Sequence, residues 1–240
     1  MLTKTSCIVL RTIKYSDKSS IVTVYSREFG RVSYIVYGLN RKKSGVKAAC
    51  FLPLSIIEIT AIYHPGKELQ QLKEVRILNN LTSIYTHPLK NALSLFTAEL
   101  LYKTLKQPES EKHIFDFLEQ TVLLLEQNET QIANFHLIFM IKLSGYLGFE
   151  PNQEEKNAQY FDLMNGIFLT YKPLHSHFLS VEMSALFNSL LYLSFESGNT
   201  LVLSREKRNE LLNVLIEYYK LHVPEFYGLN SVSVLHEIFN

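Results

Sequence analysis

Four cations crowd one short run of this chain: Arg41, Lys42 and Lys43, then Lys47 after Ser44-Gly45-Val46. Cations on a segment rich in Gly, Ser and Asn suit a polyanion, because flexible side chains can follow a line of phosphates. The same run would also serve as a solvated loop that keeps an edge strand from pairing with another chain. Basic and aromatic residues interleave just upstream, at Arg11, Lys14, Arg27, Arg31, Tyr34 and Tyr37. A groove for a single nucleic-acid strand needs such a mixture, with cations along the phosphates and rings against the bases. Ordinary surface charge and core tyrosine are the plainer alternative, and a small barrel needs several of its tyrosines inside.

Other chemistries lack their parts. A metal site needs clustered ligands, and His175-Ser176-His177 is the one close pair, without a cysteine or nearby carboxylate. Gly145-Tyr146-Leu147-Gly148 ends a helix and carries no Lys-Ser/Thr, so it is not a phosphate loop. A metal-dependent nuclease needs converging carboxylates, whereas Asp17, Glu28, Glu58, Glu68 and Glu74 are dispersed. Hydrolase elbows and Cys-His pairs are missing. The expectation is a protein with no catalytic residue, no metal ligand set and no cofactor.

Charge distribution favours the polyanion. The net charge is only +1, but residues 1–80 hold 13 Lys and Arg against 5 Asp and Glu, a net +8. Residues 81–240 hold 11 against 18, a net −7. This asymmetry suggests that the first part meets nucleic acid or another polyanion and that the second does not. At 47% hydrophobic and 20% charged residues the 240-residue chain can bury a substantial core. No apolar run reaches the roughly 18 residues of a membrane span, and Met1-Leu2-Thr3-Lys4 leads into a strand, so a cytoplasmic protein is expected. Cys7 and Cys50 sit in apolar surroundings and read as reduced packing thiols.

The elements that must position these residues follow from periodicity. Arg31–Tyr37 alternates with period two, with Val32, Tyr34 and Val36 on one face and Ser33, Ile35 and Tyr37 on the other. Similar runs at Cys7–Ile13, Ser20–Tyr25, Leu54–Ala61 and Leu72–Ile77 predict a five-stranded, OB-type barrel over 1–80. From about His87 the period becomes three and four. It predicts an all-helical domain over 81–240, with helices from about His87, at Glu109–Gln127, Thr130–Leu147, Val181–Ser197 and Ser204–Leu221, and a short one near Ser231–Phe239. Thr130 and Ser204 are placed to cap their helices. Asn165-Gly166, between Tyr160–Met164 and Ile167–Tyr171, predicts a hairpin with a two-residue turn inside an insert at about 152–178. The fold class is α+β. The stripe His136, Phe139, Met140 and Leu143 is mostly core, although an open groove beside it could dock a partner's peptide.

In order and spacing, Ile8-Val9-Leu10-Arg11, Tyr15-Ser16-Asp17-Lys18-Ser19-Ser20, Thr23–Arg31, the Gly38–Ser44 basic turn and Leu143–Pro151 resemble the RecO family of bacterial recombination mediators. The resemblance covers nearly the whole chain. It implies an N-terminal OB barrel on a helical domain. It further implies binding to single- and double-stranded DNA, annealing of strands coated by single-stranded DNA-binding protein, and cooperation with RecR in loading RecA. It implies a cytoplasmic, nucleoid-associated protein without turnover chemistry. Many members follow Gly-Phe-x-Pro with a Cys-x-x-Cys pair and close a zinc ribbon with another. Here Asn152-Gln153-Glu154-Glu155 and His175-Ser176-His177-Phe178 stand in that region without a cysteine, so no zinc is expected.

The resemblance also implies a receptor for the acidic C-terminal tail of single-stranded DNA-binding protein in the helical half. Arg205, Lys207 and Arg208 are its expected rim, with Lys142 and the groove beside Phe139 as the alternative; a solvated helix face is the plainer reading. A non-enzymatic adaptor, whose barrel holds no nucleic acid, stays open as the second reading of the whole chain.

Overall fold

The computed structural model describes residues 2–39, 48–107, 110–128, 132–152, 157–198 and 200–238. They form two compact units, Met1–Gln127 and Asn128–Asn240. The basic run Arg41, Lys42, Lys43 and Lys47 lies outside the described residues, as does Thr130.

In the first unit, β1 (Leu2–Lys14), β2 (Ser19–Ser26), β3 (Gly30–Tyr37), β4 (Ile56–Ile62) and β5 (Leu69–Ile77) close a barrel. The strand order is β1-β2-β3-β5-β4, with β3 and β5 parallel and the other pairs antiparallel. This is the OB arrangement expected. Gly30 and Gly38 bound β3 with φ of 60° and 77°, a left-handed backbone that favours glycine. Inward positions alternate as valine and isoleucine: Val22 and Val24 of β2, Val32 and Val36 of β3, Ile57 and Ile59 of β4. Cys50 and Phe51, from a single 3-10 turn at Ala48–Phe51, join that core. Each fully buried aliphatic side chain contributes about 1.5–3 kcal/mol. Both cysteines are buried and unbridged.

Among the described residues, three helices follow in this unit: α1 (Thr82–Thr86), α2 (Pro88–Thr104) and α3 (Lys112–Gln127). The five-residue α1 is too short for a periodic signal. Its first N–H groups are satisfied from α3, where the Glu126 carboxylate accepts from Ser83 N (2.9 Å) and Ile84 N (2.8 Å). The buried Lys90 ammonium donates to Ser83 Oγ and the Glu126 carbonyl, both at 2.7 Å, which closes the knot among the three helices. Tyr85 ties α1 to the barrel through Ser55 Oγ (2.8 Å) and the Pro53 carbonyl (3.1 Å).

The second unit contains α4 (Phe135–Tyr146), a two-stranded ribbon of β6 (Tyr160–Asp162) and β7 (Ile167–Leu169), α5 (Val181–Leu191), α6 (Arg205–His222) and α7 (Val232–Ile238). Ser204 caps α6 as expected by accepting from Lys207 N, and Ser180 does the same for α5 through Met183 N. The helix α5 stops at Leu191, six residues short of the expected end. The hairpin is present, but its loop runs over four residues, 163–166, and not the two expected. The reason is the Asp162 carboxylate, which accepts from Met164 N and Asn165 N and so holds Asn165 inside a wider turn.

Candidate nucleic-acid interface

The outer face of β1-β2-β3 is a ladder of cross-strand rows, and the helices cover only part of it. Tyr25 pairs with Arg31, Arg11 and Thr23 with Ser33, Ile13 and Ile21 with Ile35, and Ser19 with Tyr37. The first two rows are overlaid by the helices. The Tyr25 hydroxyl accepts from Glu111 N at 3.5 Å, and Tyr25 is buried although it points outward. Arg31 donates to the Tyr102 carbonyl at 3.2 Å, and the guanidinium carbons of Arg11 and Arg31 lie 4.9 and 5.4 Å from the Tyr102 ring centroid. Arg27, in the β2–β3 turn, lies 2.5 Å from Asp116 Oδ1 and 3.2 Å from Glu119 Oε2, with its guanidinium 4.6 Å from the Phe115 centroid. Ser110 Oγ donates to the Arg27 carbonyl.

These contacts correct one expectation. Arg27 is held against α3 and neutralised by two carboxylates, so it is not a free phosphate ligand. Arg31 spends one donor on the Tyr102 carbonyl, and Arg11 is exposed beside the Tyr102 ring. Part of the excess charge of the barrel is answered within its own unit. Tyr34 is corrected as well. It is 1% exposed and belongs to the barrel core with Val32 and Val36, so its ring cannot reach a base. Burial pushes its hydroxyl up above the usual phenol range, so it stays neutral.

The remaining rows are open. Tyr37 is 58% exposed, Ile13 is exposed, and Ile21 and Ile35 are half-buried between them. At the same end the β1–β2 turn brings up Tyr15, 63% exposed, whose N–H bonds to the Ser19 carbonyl across from Tyr37. Gly38 N donates to the Lys18 carbonyl, which fixes this turn beside the point where the chain leaves toward the basic run. Lys14 and Lys18 are exposed here, Lys14 with Asp17 at 2.8 Å. Of the residues expected from sequence, Lys14 and Tyr37 lie on this surface, and Tyr15 and Lys18, not among those expected, lie beside them. Their signal was the turn residues Ser16-Asp17, which place both at the tip of a hairpin feeding the same barrel end. Two exposed rings, three isoleucines and two ammonium groups share this end of the barrel, a mixture whose chemistry suits flat, apolar ligands flanked by negative charge.

In the second unit the expected partner residues are mostly engaged. Lys207 bridges Glu182 and Glu210, both at 3.0 Å. Arg208 donates to Asn134 Oδ1 and the Leu203 carbonyl, both at 3.2 Å, and props the loop that Asn134 binds through Gly198 and Leu201. Arg205 stays exposed and reaches the His236 carbonyl at 3.5 Å. Phe139 is corrected: it is fully buried with His136, Met140 and Leu143. Lys142 is half-buried on the same helix.

Two family profiles match this chain in succession. The one described as Recombination protein O N terminal covers residues 1–81, and Recombination protein O C terminal covers residues 86–230. The chain belongs to the RecO family. Relatives named DNA repair protein RecO share 37% identity in Phocaeicola vulgatus, 37% in Bacteroides fragilis and 36% in Flavobacterium psychrophilum, each over the full length of both chains. The helical match begins within α1, whereas the first compact unit extends through α3 to Gln127.

The zinc implied for the family's ribbon does not fit the donors present. The only two cysteines, Cys7 and Cys50, are buried inside the barrel. In the ribbon, His175 Nε2 lies 3.1 Å from Asp162 Oδ2 and His177 Nδ1 lies 3.6 Å from Glu217 Oε1. Among the described residues no three His, Cys, Asp or Glu side chains gather as a metal site would need.

Proposed function

We propose that this chain is a DNA-binding recombination mediator in DNA repair that works by binding and carries out no covalent chemistry. The observation that supports this reading is the open end of the barrel, where Tyr15 and Tyr37 present their rings beside Lys14 and Lys18. An unpaired strand exposes base faces that can stack on such rings, while its phosphates meet the ammonium groups and the run Arg41, Lys42, Lys43 and Lys47. A cationic surface that holds one strand with its bases accessible lowers the repulsion met by a complementary strand, which is the physical requirement of annealing. Duplex DNA hides its base faces and meets only the cations.

Family membership supports the partners: RecR, single-stranded DNA-binding protein and, indirectly, RecA, in the cytoplasm. For the acidic tail of single-stranded DNA-binding protein, Arg205 is the best-exposed candidate of its cluster, with Lys142 as the second. The row Ile13, Ile21 and Ile35 supports a second reading, an adaptor that docks a protein on the open half-sheet. The two part on salt and on rings. Binding of single-stranded DNA to the full chain should weaken steeply with salt and fall when Tyr37 is replaced by leucine. Tight protein docking without measurable DNA binding would favour the adaptor.

A further inference from the structure

The ribbon is cross-linked at one buried carboxylate. Asp162, the last residue of β6, is 2% exposed. Its Oδ1 accepts from Met164 N at 2.8 Å and Asn165 N at 3.2 Å. Its Oδ2 accepts from Asn165 Nδ2 at 2.7 Å and lies 3.1 Å from His175 Nε2. His175 Nδ1 is buried without a protein hydrogen-bond partner. A carboxylate only accepts, so His175 Nε2 carries the proton of this contact and donates it to Asp162.

These four contacts come from two separate segments, the turn 163–166 and the stretch leading to Phe178. The same stretch then pairs with β6: Leu163 N donates to the His177 carbonyl at 3.0 Å and Leu179 N to the Phe161 carbonyl at 2.9 Å. From α5, Ser184 Oγ accepts from Phe161 N and donates to the Leu179 carbonyl. From α6, His222 Nε2 meets the Leu163 carbonyl at 2.8 Å. A structural metal acts alike, with one charged centre gathering ligands from a hairpin and from the chain that returns beside it.

We propose that the ribbon of this chain is a metal-independent element whose central tie is the Asp162 carboxylate, with Asn165 and His175 as its ligands. The ribbon then folds without zinc and is indifferent to chelators and to thiol oxidants. Removing the carboxylate takes the shared acceptor from two backbone N–H groups and two side-chain donors of two chain segments, which opens the ribbon while the helices stay folded.

The test uses the full chain and reads three quantities: bound zinc by elemental analysis, melting with and without EDTA or added zinc, and amide exchange at Leu163 and Leu179. The expected result is substoichiometric zinc, melting unmoved by EDTA or zinc, and exchange at both amides faster by about tenfold or more in Asp162→Ala. Asp162→Asn keeps the shape and one acceptor and should speed the same amides less, so it reads the proposal if the alanine variant does not fold. His177→Gln, outside the knot, should leave Leu179 exchange unchanged. One tightly held zinc per chain with melting lowered by EDTA would overturn the proposal. So would wild-type exchange at Leu163 and Leu179 in the Asp162 variants.

Discussion

Arg27 Nη2 sits 2.5 Å from Asp116 Oδ1, so a turn of the barrel that reads as a phosphate ligand is instead tied to α3. Replacing Arg27 by alanine removes two ion pairs and the packing on Phe115. The pairs are half-exposed and contribute up to about 1 kcal/mol each, and the ring contact about 0.5–1 kcal/mol. The expected outcome is a loss of about 1–2 kcal/mol in urea denaturation, with the salt slope of DNA binding unchanged. A reduced slope with unaltered stability would return Arg27 to the interface.

Replacing Arg41, Lys42 and Lys43 together by alanine should act the other way. Each phosphate contact on a single strand adds about 0.7 to the salt slope, so loss of up to three contacts removes about 2 units. Stability should hardly change. Fluorescence anisotropy across a salt series checks both.

The two tyrosines of β3 should separate cleanly. Tyr37→Leu and Tyr15→Leu should each weaken single-strand binding by about 1–3 kcal/mol and spare duplex binding. Tyr34→Leu should instead lower stability by about 1–3 kcal/mol, because it shrinks a core ring, and the folded fraction should bind DNA as before. Paired titrations on single-stranded and duplex oligonucleotides, alongside urea midpoints, discriminate the three.

That pair also shows where the sequence stops. Period two set Tyr34 and Tyr37 on opposite faces, and the valines flanking Tyr34 already marked its face as the inward one. Which stretches of the outer face stay open was not legible, because it depends on Tyr102, Asp116 and Glu119, some 70 to 90 residues away from Arg31 and Arg27. The five strands, the Ser204 cap and the existence of the hairpin were legible because each has a local cause. The width of the hairpin loop was not, since Asn-Gly favours two residues and the Asp162 carboxylate overrides it. Nor was α1, whose N-terminus is satisfied by Glu126 from another helix.

His136 gives a pH signature. Burial, then the nearby charges of Arg208 and His236, lower its pKa to about 3, whereas the unfolded chain titrates near 6.5. The folded state therefore binds fewer protons, and its stability is complete above about pH 6.5 and is lost progressively as pH falls toward 3. Between pH 7 and 5 this group should remove about 2 kcal/mol. In His136→Gln the urea midpoint should start lower at pH 7 and decline less on acidification.

Arg205→Glu should weaken binding of an acidic tail peptide by about 1 kcal/mol or less, as expected for an exposed charge. Arg208→Ala should chiefly destabilise the second unit, since Asn134 and Leu203 lose their donor. Isothermal titration with the peptide, beside thermal melts, separates the two.

The central claim is that the barrel end binds an unpaired strand through phosphates and rings. Its most direct measurement is the affinity of the full chain for a single-stranded oligonucleotide as a function of salt, in the parent and in Tyr37→Leu. For the parent, log Kobs is expected to fall against log salt with a slope of about −2 or steeper. Tyr37→Leu is expected to lower the affinity at every salt concentration without altering that slope. A slope near zero, or affinity indifferent to Tyr37, would contradict it.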